Sequence, residues 1–342
     1  MNFGPVAWCF LAAALFGASP AGCKYLLGES VGPFALASLL YLGAGLATLP
    51  FSLQRANAKR SEYIRMAGAV IFGGILGPIF LMLGLFYGNS GTASLLLNFE
   101  TVATMILGWL FFKEYIGKEA WAACALIVVG GIWLTIPDEM AAATSVFWVV
   151  LACFCWGVDN HLTAVIDEFT PAQTTCIKGL FAGCFNALIA IWFEHQWGNT
   201  TSVLGGLGIG ALCYGASIVL YVAGAQQLGA TRSQMIFATA PYFGLLLSWF
   251  VLSEGILLSQ IGGGILMFFA LWILLREDHE HQHHHKETSH IHWHHHKDGH
   301  HTHNHTGKTW NVLGWHIHHH LHKEQTHSHQ HRSDIHHRHH QG

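Results

Sequence analysis

Ser94-Leu-Leu-Leu-Asn-Phe-Glu-Thr-Val-Ala-Thr-Met-Ile-Leu-Gly-Trp-Leu-Phe-Phe-Lys-Glu114 is long and apolar enough to cross a bilayer as one helix, yet it holds Asn98 and Glu100 a third of the way in. Placing a carboxylate in hydrocarbon costs at least ~2.5 kcal/mol, so Glu100 is expected to face a protein or water-filled interior. A near-copy runs from Arg232 to Glu254 and also ends in an acidic residue after an aromatic-rich apolar run. The rest of the chain reads as built around this duplicated helix.

Working outward, the chain is 52% hydrophobic and 10% charged, against about 25% charged in soluble domains. All histidines except His161 and His195 lie after Leu275. Residues 1–275 therefore read as an all-α membrane protein and 276–342 as a polar tail. A net charge of -3, with basic residues scattered between apolar runs, gives no sign of a nucleic-acid partner. The eight cysteines all fall in apolar segments and read as small packing residues. The first apolar run reads as a transmembrane helix and not a cleaved leader, because no Lys or Arg precedes it.

About 20 residues at 1.5 Å each cross the hydrocarbon core. Runs of that kind lie near 5–27, 31–53, 66–87, 92–112, 117–136, 145–166, 170–193, 203–227, 232–252 and 257–275. The expectation is ten transmembrane helices in two five-helix units, 1–140 and 141–275. An odd number per unit makes the second enter from the other side, so the units form inverted repeats with a solute site between them. Arg55, Lys59, Arg60, Arg65, Lys113, Lys118, Arg232 and Arg276 gather on one side. That side is expected to be the cytoplasm, with both termini there, in a bacterial-type inner membrane.

Ten short helices, two five-helix units and an acidic residue closing the fourth helix of each resemble the EamA-type branch of the drug/metabolite transporter superfamily. The resemblance rests on Ser94–Glu114 followed by Gly130-Gly131, and on Ala230–Glu254 with Pro241 followed by Gly262-Gly263-Gly264. It implies a permease for a small metabolite, often an exporter and often proton-driven. The first unit departs by placing Glu100-Thr101 where a proline is usual.

The ionisable residues at membrane depth are Lys24, Glu100, Asp159, His161 and Lys178, with Asn98, Asn160, Asn186, Gln226, Gln227 and Gln234 nearby. Trp156-Gly-Val-Asp-Asn-His-Leu-Thr163 is the densest polar stretch; Asp159 and Thr163 share a helix face while His161 points elsewhere. Two readings stand. Glu100, Asp159 and Lys178, with His161, Asn98 and Asn160 around them, form a cavity for a charged or zwitterionic solute such as an amino acid. Alternatively, Lys178 pairs with Asp159 or Glu100 to hold the two halves together.

The tail repeats closely spaced imidazoles: His279, His281, His283, His284 and His285; His292, His294, His295 and His296; His300, His301, His303 and His305; His316, His318, His319 and His320. Such spacing suits a divalent transition metal, Zn, Ni, Co or Cu. The segment is too polar to build a core and is expected to be disordered. The alternative function is thus a transition-metal transporter whose tail collects the ion, or a metal-buffering membrane protein. No cofactor is required by either reading, and no nucleophile–base spacing or phosphate loop suggests an enzyme. Expected partners are the solute, the lipid bilayer, metal ions at the tail and a second copy of the chain in a homodimer.

Overall fold

The apolar runs become helices because the bilayer offers no partner for an open N–H or C=O, and a helix satisfies both internally. A computed structural model describes residues 3–53, 58–112, 117–135, 141–166, 168–228 and 236–276, and, in the tail, 279–285, 288–295, 315–322 and 325–331. The helices are α1 (Phe3–Gly28), α2 (Pro33–Thr48), α3 (Arg60–Ala69), α4 (Gly77–Tyr87), α5 (Ser90–Leu96), α6 (Phe99–Leu107) and α7 (Lys118–Thr135). The second half holds α8 (Ala141–Ala164), α9 (Pro171–Phe193), α10 (Thr200–Ile209), α11 (Ser217–Leu228), α12 (Ala240–Phe250) and α13 (Leu258–Arg276). Among the described residues, seven helical spans are long and apolar enough to cross a membrane, and Ala240–Phe250 and Leu258–Leu274 are shorter apolar helices. Each of the ten expected runs contains helix, but the fixed count of ten full-length spans is not met by length alone.

The two halves pack with a consistent exchange of partners. α2 lies against α9, α5 against α12 and α7 against α13, while α1 lies on α11 as α4 lies on α8. Glycines make these contacts close. A Cβ on Gly179 would stand 2.5 Å from Cα of Gly45, and one on Gly183 would meet Leu42 of α2 at 2.7 Å. Small residues at such spacing let backbones approach where no hydrophobic force drives helices together.

Two irregularities recur in both halves. Between α3 and α4, residues Val70–Leu76 form a π-turn; Gly210–Ala216 form its counterpart between α10 and α11. In each, an amide reaches back five residues, Gly77 to Phe72 and Ser217 to Leu212, so the carbonyls of Gly73 and Cys213 drop out of the ladder. Pro78 follows the first π-turn and has no N–H to offer the Gly74 carbonyl. Bulges of this sort recur at functional sites.

The second irregularity is a break in the duplicated helix. Pro241 sits at the start of α12 after a turn at Ala238–Thr239. The first half breaks at the same place without a proline, at Leu97–Asn98. Asn98 Nδ2 donates to Leu95 O at 3.0 Å, as Thr239 Oγ1 donates to Ile236 O at 2.6 Å. A polar side chain that competes for a nearby carbonyl thus replaces the ring.

In the tail, β1 (His279–His285) pairs antiparallel with β4 (Gln325–His331), and β2 (Thr288–His295) with β3 (Trp315–His322). The expectation of a wholly disordered tail is corrected for these segments. The alternation of His with Thr, Ile and Trp in β2 and β3 carries the period-two pattern that suits a strand. His296, His300, His301, His303 and His305 lie outside the described residues.

Candidate functional site

Helix α8 carries Asp159, 7% exposed, toward the first π-turn. There Gly73 leaves room for it: a Cβ on Gly73 would fall on the Asp159 carboxylate. The freed carbonyls of this turn are all claimed. Gly73 O accepts from the hydroxyl of Tyr41 and from Trp156 Nε1 at 3.1 Å, and Gly74 O accepts from Asn186 Nδ2 at 3.1 Å. Residues of α2, α8 and α9 therefore converge on one irregular turn.

Lys178, from α9, closes on both oxygens of Asp159, at 2.8 Å to Oδ1 and 2.5 Å to Oδ2. Thr163, one turn along α8, donates to Oδ1 at 3.0 Å. Asp159 is thus saturated by a cation and a hydroxyl. Both partners belong to the second half, so the pair does not itself tie one half to the other as the ion-pair reading supposed. The tie runs through Gly73.

Glu100 opens α6, immediately after the break. Its Oε1 accepts from Asn160 Nδ2 at 2.8 Å, and the same amide lies 3.3 Å from Thr104 Oγ1. Asp159 and Lys178 are the charges that act on it. Glu100 is half-buried, and its partner Asn160 is exposed. Among the described residues no cation bonds to it, which distinguishes it from Asp159.

The remaining candidates divide. His161 points away from Asp159, and its Nε2 meets Thr104 O of α6 at 2.9 Å, bracing α8 on the first half. Asn98 is buried in the break, with Met267 Sδ 3.6 Å from its amide, and does not join the carboxylates. Lys24 does not reach the site: it donates to Leu85 O at 2.7 Å and Gly88 O at 2.6 Å, capping the end of α4. The Gln226 and Gln227 side chains, Gln234 and Glu114 lie outside the described residues. Tyr41, Trp156 and Gly73 are the site residues the sequence reading missed; the tandem Gly73-Gly74 just before Pro78 was the available signal.

The far end of the bundle, where α1 meets α2, carries a second constellation. Glu194, at the end of α9, accepts from the amides of Phe34 at 3.1 Å and Ala35 at 3.0 Å, the first turn of α2. Glu254, past the end of α12, accepts from Ser90 N at 3.1 Å, Ser90 Oγ at 2.9 Å and Gly91 N at 3.3 Å, the first turn of α5. Burial raises the Glu194 pKa above its ordinary value, opposed by the two amides. As for metals, no group of three or more His, Cys, Asp or Glu able to hold an ion is found among the described residues.

The model of the EamA-like transporter family matches residues 4–136 and again 143–276. An uncharacterized transporter of Methanothermobacter thermautotrophicus is 24% identical over 229 residues, covering 64% of this chain and 66% of that protein. The chain thus spans just under two thirds of that relative's length. An uncharacterized transporter of Synechocystis is 24% identical over 274 residues, covering 70% of this chain and 80% of that protein. A crystal structure at 15% identity shares the fold, with a TM-score of 0.58 over 79% of this chain and 97% of that one.

Proposed function

The chain belongs to the EamA-like transporter family, and on that premise we propose that it is a permease moving a small polar metabolite across the inner membrane by alternating access. In this reading ten spans form two inverted repeats, and the solute binds at the break of α5–α6 against α8 and α9. Export coupled to protons is the favoured direction and drive.

The observation that carries the reading is Glu100. A half-buried carboxylate at membrane depth, with no cation bonded to it among the described residues, is costly unless something binds it. An ammonium group of a solute, or a proton, fills that role. Lys178 and Asp159, already paired, hold the adjoining wall and offer a second charged contact when the pair opens. His161 and Asn160 fix α8 against α6, and Asn98 maintains the break that exposes Glu100.

The metal alternative rests on the tail, where the register sets His290, His292 and His294 opposite His320, His318 and His316. Metal capture by the tail is compatible with either cargo. The deciding experiment reconstitutes the full chain and a chain ending at residue 278 into liposomes, then measures flux of amino acids and of Zn, Ni and Co. Amino-acid flux by both, abolished by Glu100→Gln, supports the proposal. Metal flux by the truncated chain overturns it.

A further inference from the structure

The two carboxylate caps at the α1–α2 end share a design that the transport site does not explain. Each comes from the end of a helix in the second repeat and lands on the first turn of the facing helix in the first repeat: α9 on α2, α12 on α5. A charged acceptor at a helix start satisfies otherwise open amides and meets the positive end of the helix dipole. Such caps are ordinarily local, drawn from the residue just before the helix. Here Glu194 and Glu254 reach across the repeat interface, Glu254 sharing the start of α5 with the local cap Asn89, whose Oδ1 accepts from Gly91 N at 2.9 Å and Thr92 N at 3.2 Å.

The surroundings are shaped to permit this. A Cβ on Gly32 would overlap the Glu194 carboxylate, so only glycine fits there. His195, next to Glu194, and Ser253, next to Glu254, hold left-handed φ of 55° and 54°. Non-glycine residues pay roughly 1–2 kcal/mol for that conformation. Strain of this kind persists where surrounding contacts demand it. Further ties at the same end are Gly32 N to Gln196 O at 2.8 Å, the Val31–Trp197 bridge, and Ser145 Oγ to Gly84 O at 2.7 Å. Behind Glu254, the fully buried Gln260 links Asn89 at 2.8 Å and Trp249 at 2.7 Å.

We propose that Glu194 and Glu254 are paired latches that close this end of the bundle by gripping the first repeat, and that their joint release is the opening step at that face. The proposal extends the transport reading above by naming the gate. If the repeats rock as rigid units, neither cap can break without straining the other, because both span the same interface at the same end.

Hydrogen exchange on the full chain in detergent tests this without a solute. Glu254→Ala is expected to speed exchange about tenfold, the loss of a charged hydrogen bond, at Ser90 and also at Gly32, Phe34 and Ala35 under the other latch. Glu194→Ala should act in reverse. Glu254→Gln and Glu194→Gln, which keep an acceptor, should show the same pattern more weakly and serve if the alanine forms do not fold. Acceleration confined to the amides each residue touches, or none at all, overturns the proposal by showing independent local caps. Because the readout needs no cargo, failure to find flux would count against the permease reading alone.

Discussion

The ammonium of Lys178 lies within 2.8 Å of both carboxylate oxygens of Asp159, on neighbouring helices of the same repeat, with the side chains 16% and 10% exposed. A buried pair with such geometry is destabilising to break and close to neutral to replace as a whole. That asymmetry separates a structural role from a functional one.

Asp159→Asn and Lys178→Met, made singly, should each lower stability by about 3–5 kcal/mol through the charge left behind. The double variant should recover most of it. Melting in detergent measures this. If the pair also serves the solute, the recovered double variant will still transport nothing; transport equal to wild type would make the pair purely structural.

Glu100→Gln keeps the size of the side chain and an acceptor for Asn160 while removing the charge. It should leave melting within about 1 kcal/mol of wild type, the usual scale of a neutral hydrogen bond, and abolish both flux and its dependence on pH. Flux with an unaltered pH profile would remove Glu100 from the mechanism.

Gly73→Ala places a methyl on the Asp159 carboxylate. The π-turn or the ion pair must move, at a cost of about 1–3 kcal/mol typical of overpacking. Gly208→Ala is the control, since a Cβ there meets nothing within 4 Å. Equal melting of the two variants would contradict the packing described around the turn.

Glu194 bears on acid response, because burial lifts its pKa and the amides of Phe34 and Ala35 only partly offset this. The facing segment Val31 to Ala35 has no titratable group, and His195 is its chain neighbour. A pKa raised in the closed form, relative to a water-exposed Glu194, means closing takes up protons. This contribution is full below the ordinary glutamate value of about 4.3 and is lost as pH rises through the raised one. Exchange at Phe34 and Ala35, corrected for intrinsic rates, should therefore slow relative to Glu194→Gln as pH falls. No difference between the two proteins would refute it.

Removing residues 279–342 should leave the melting of the helical part unchanged and eliminate retention on an immobilised-nickel matrix. Loss of helical folding would show that the tail is part of the core assembly.

Much of this was legible in sequence. The duplicated helix, the two halves and the pairing of Lys178 with Asp159 follow from apolar length, internal similarity and the penalty for charge in lipid. Tyr41 was not legible, since its single hydroxyl sits in an apolar run and matters only because a π-turn frees a carbonyl opposite it. Lys24 misled for a related reason: a lysine near a helix end reads the same whether it reaches water or caps α4. The break at Asn98 lacked its proline marker, and only the hydrogen bond to Leu95 identifies it. Glu194 and Glu254 carry no mark of their contacts in the sequence, because nothing in their own neighbourhood names the distant amides they meet.

The cross-repeat caps run one way. Both acids are donated by the second repeat and both receiving helix starts lie in the first. Were the polypeptide severed between α7 and α8 and its pieces synthesised separately, the amino-terminal piece would lose the carboxylate partners of the Phe34, Ala35 and Ser90 amides, while Gly91 would keep its local cap, Asn89. The carboxy-terminal piece would suffer less, keeping Asp159 with Lys178 and its own Thr170–Gln173 capping box. The earlier-made portion is thus the dependent one, waiting during synthesis for a completion that emerges later from the ribosome.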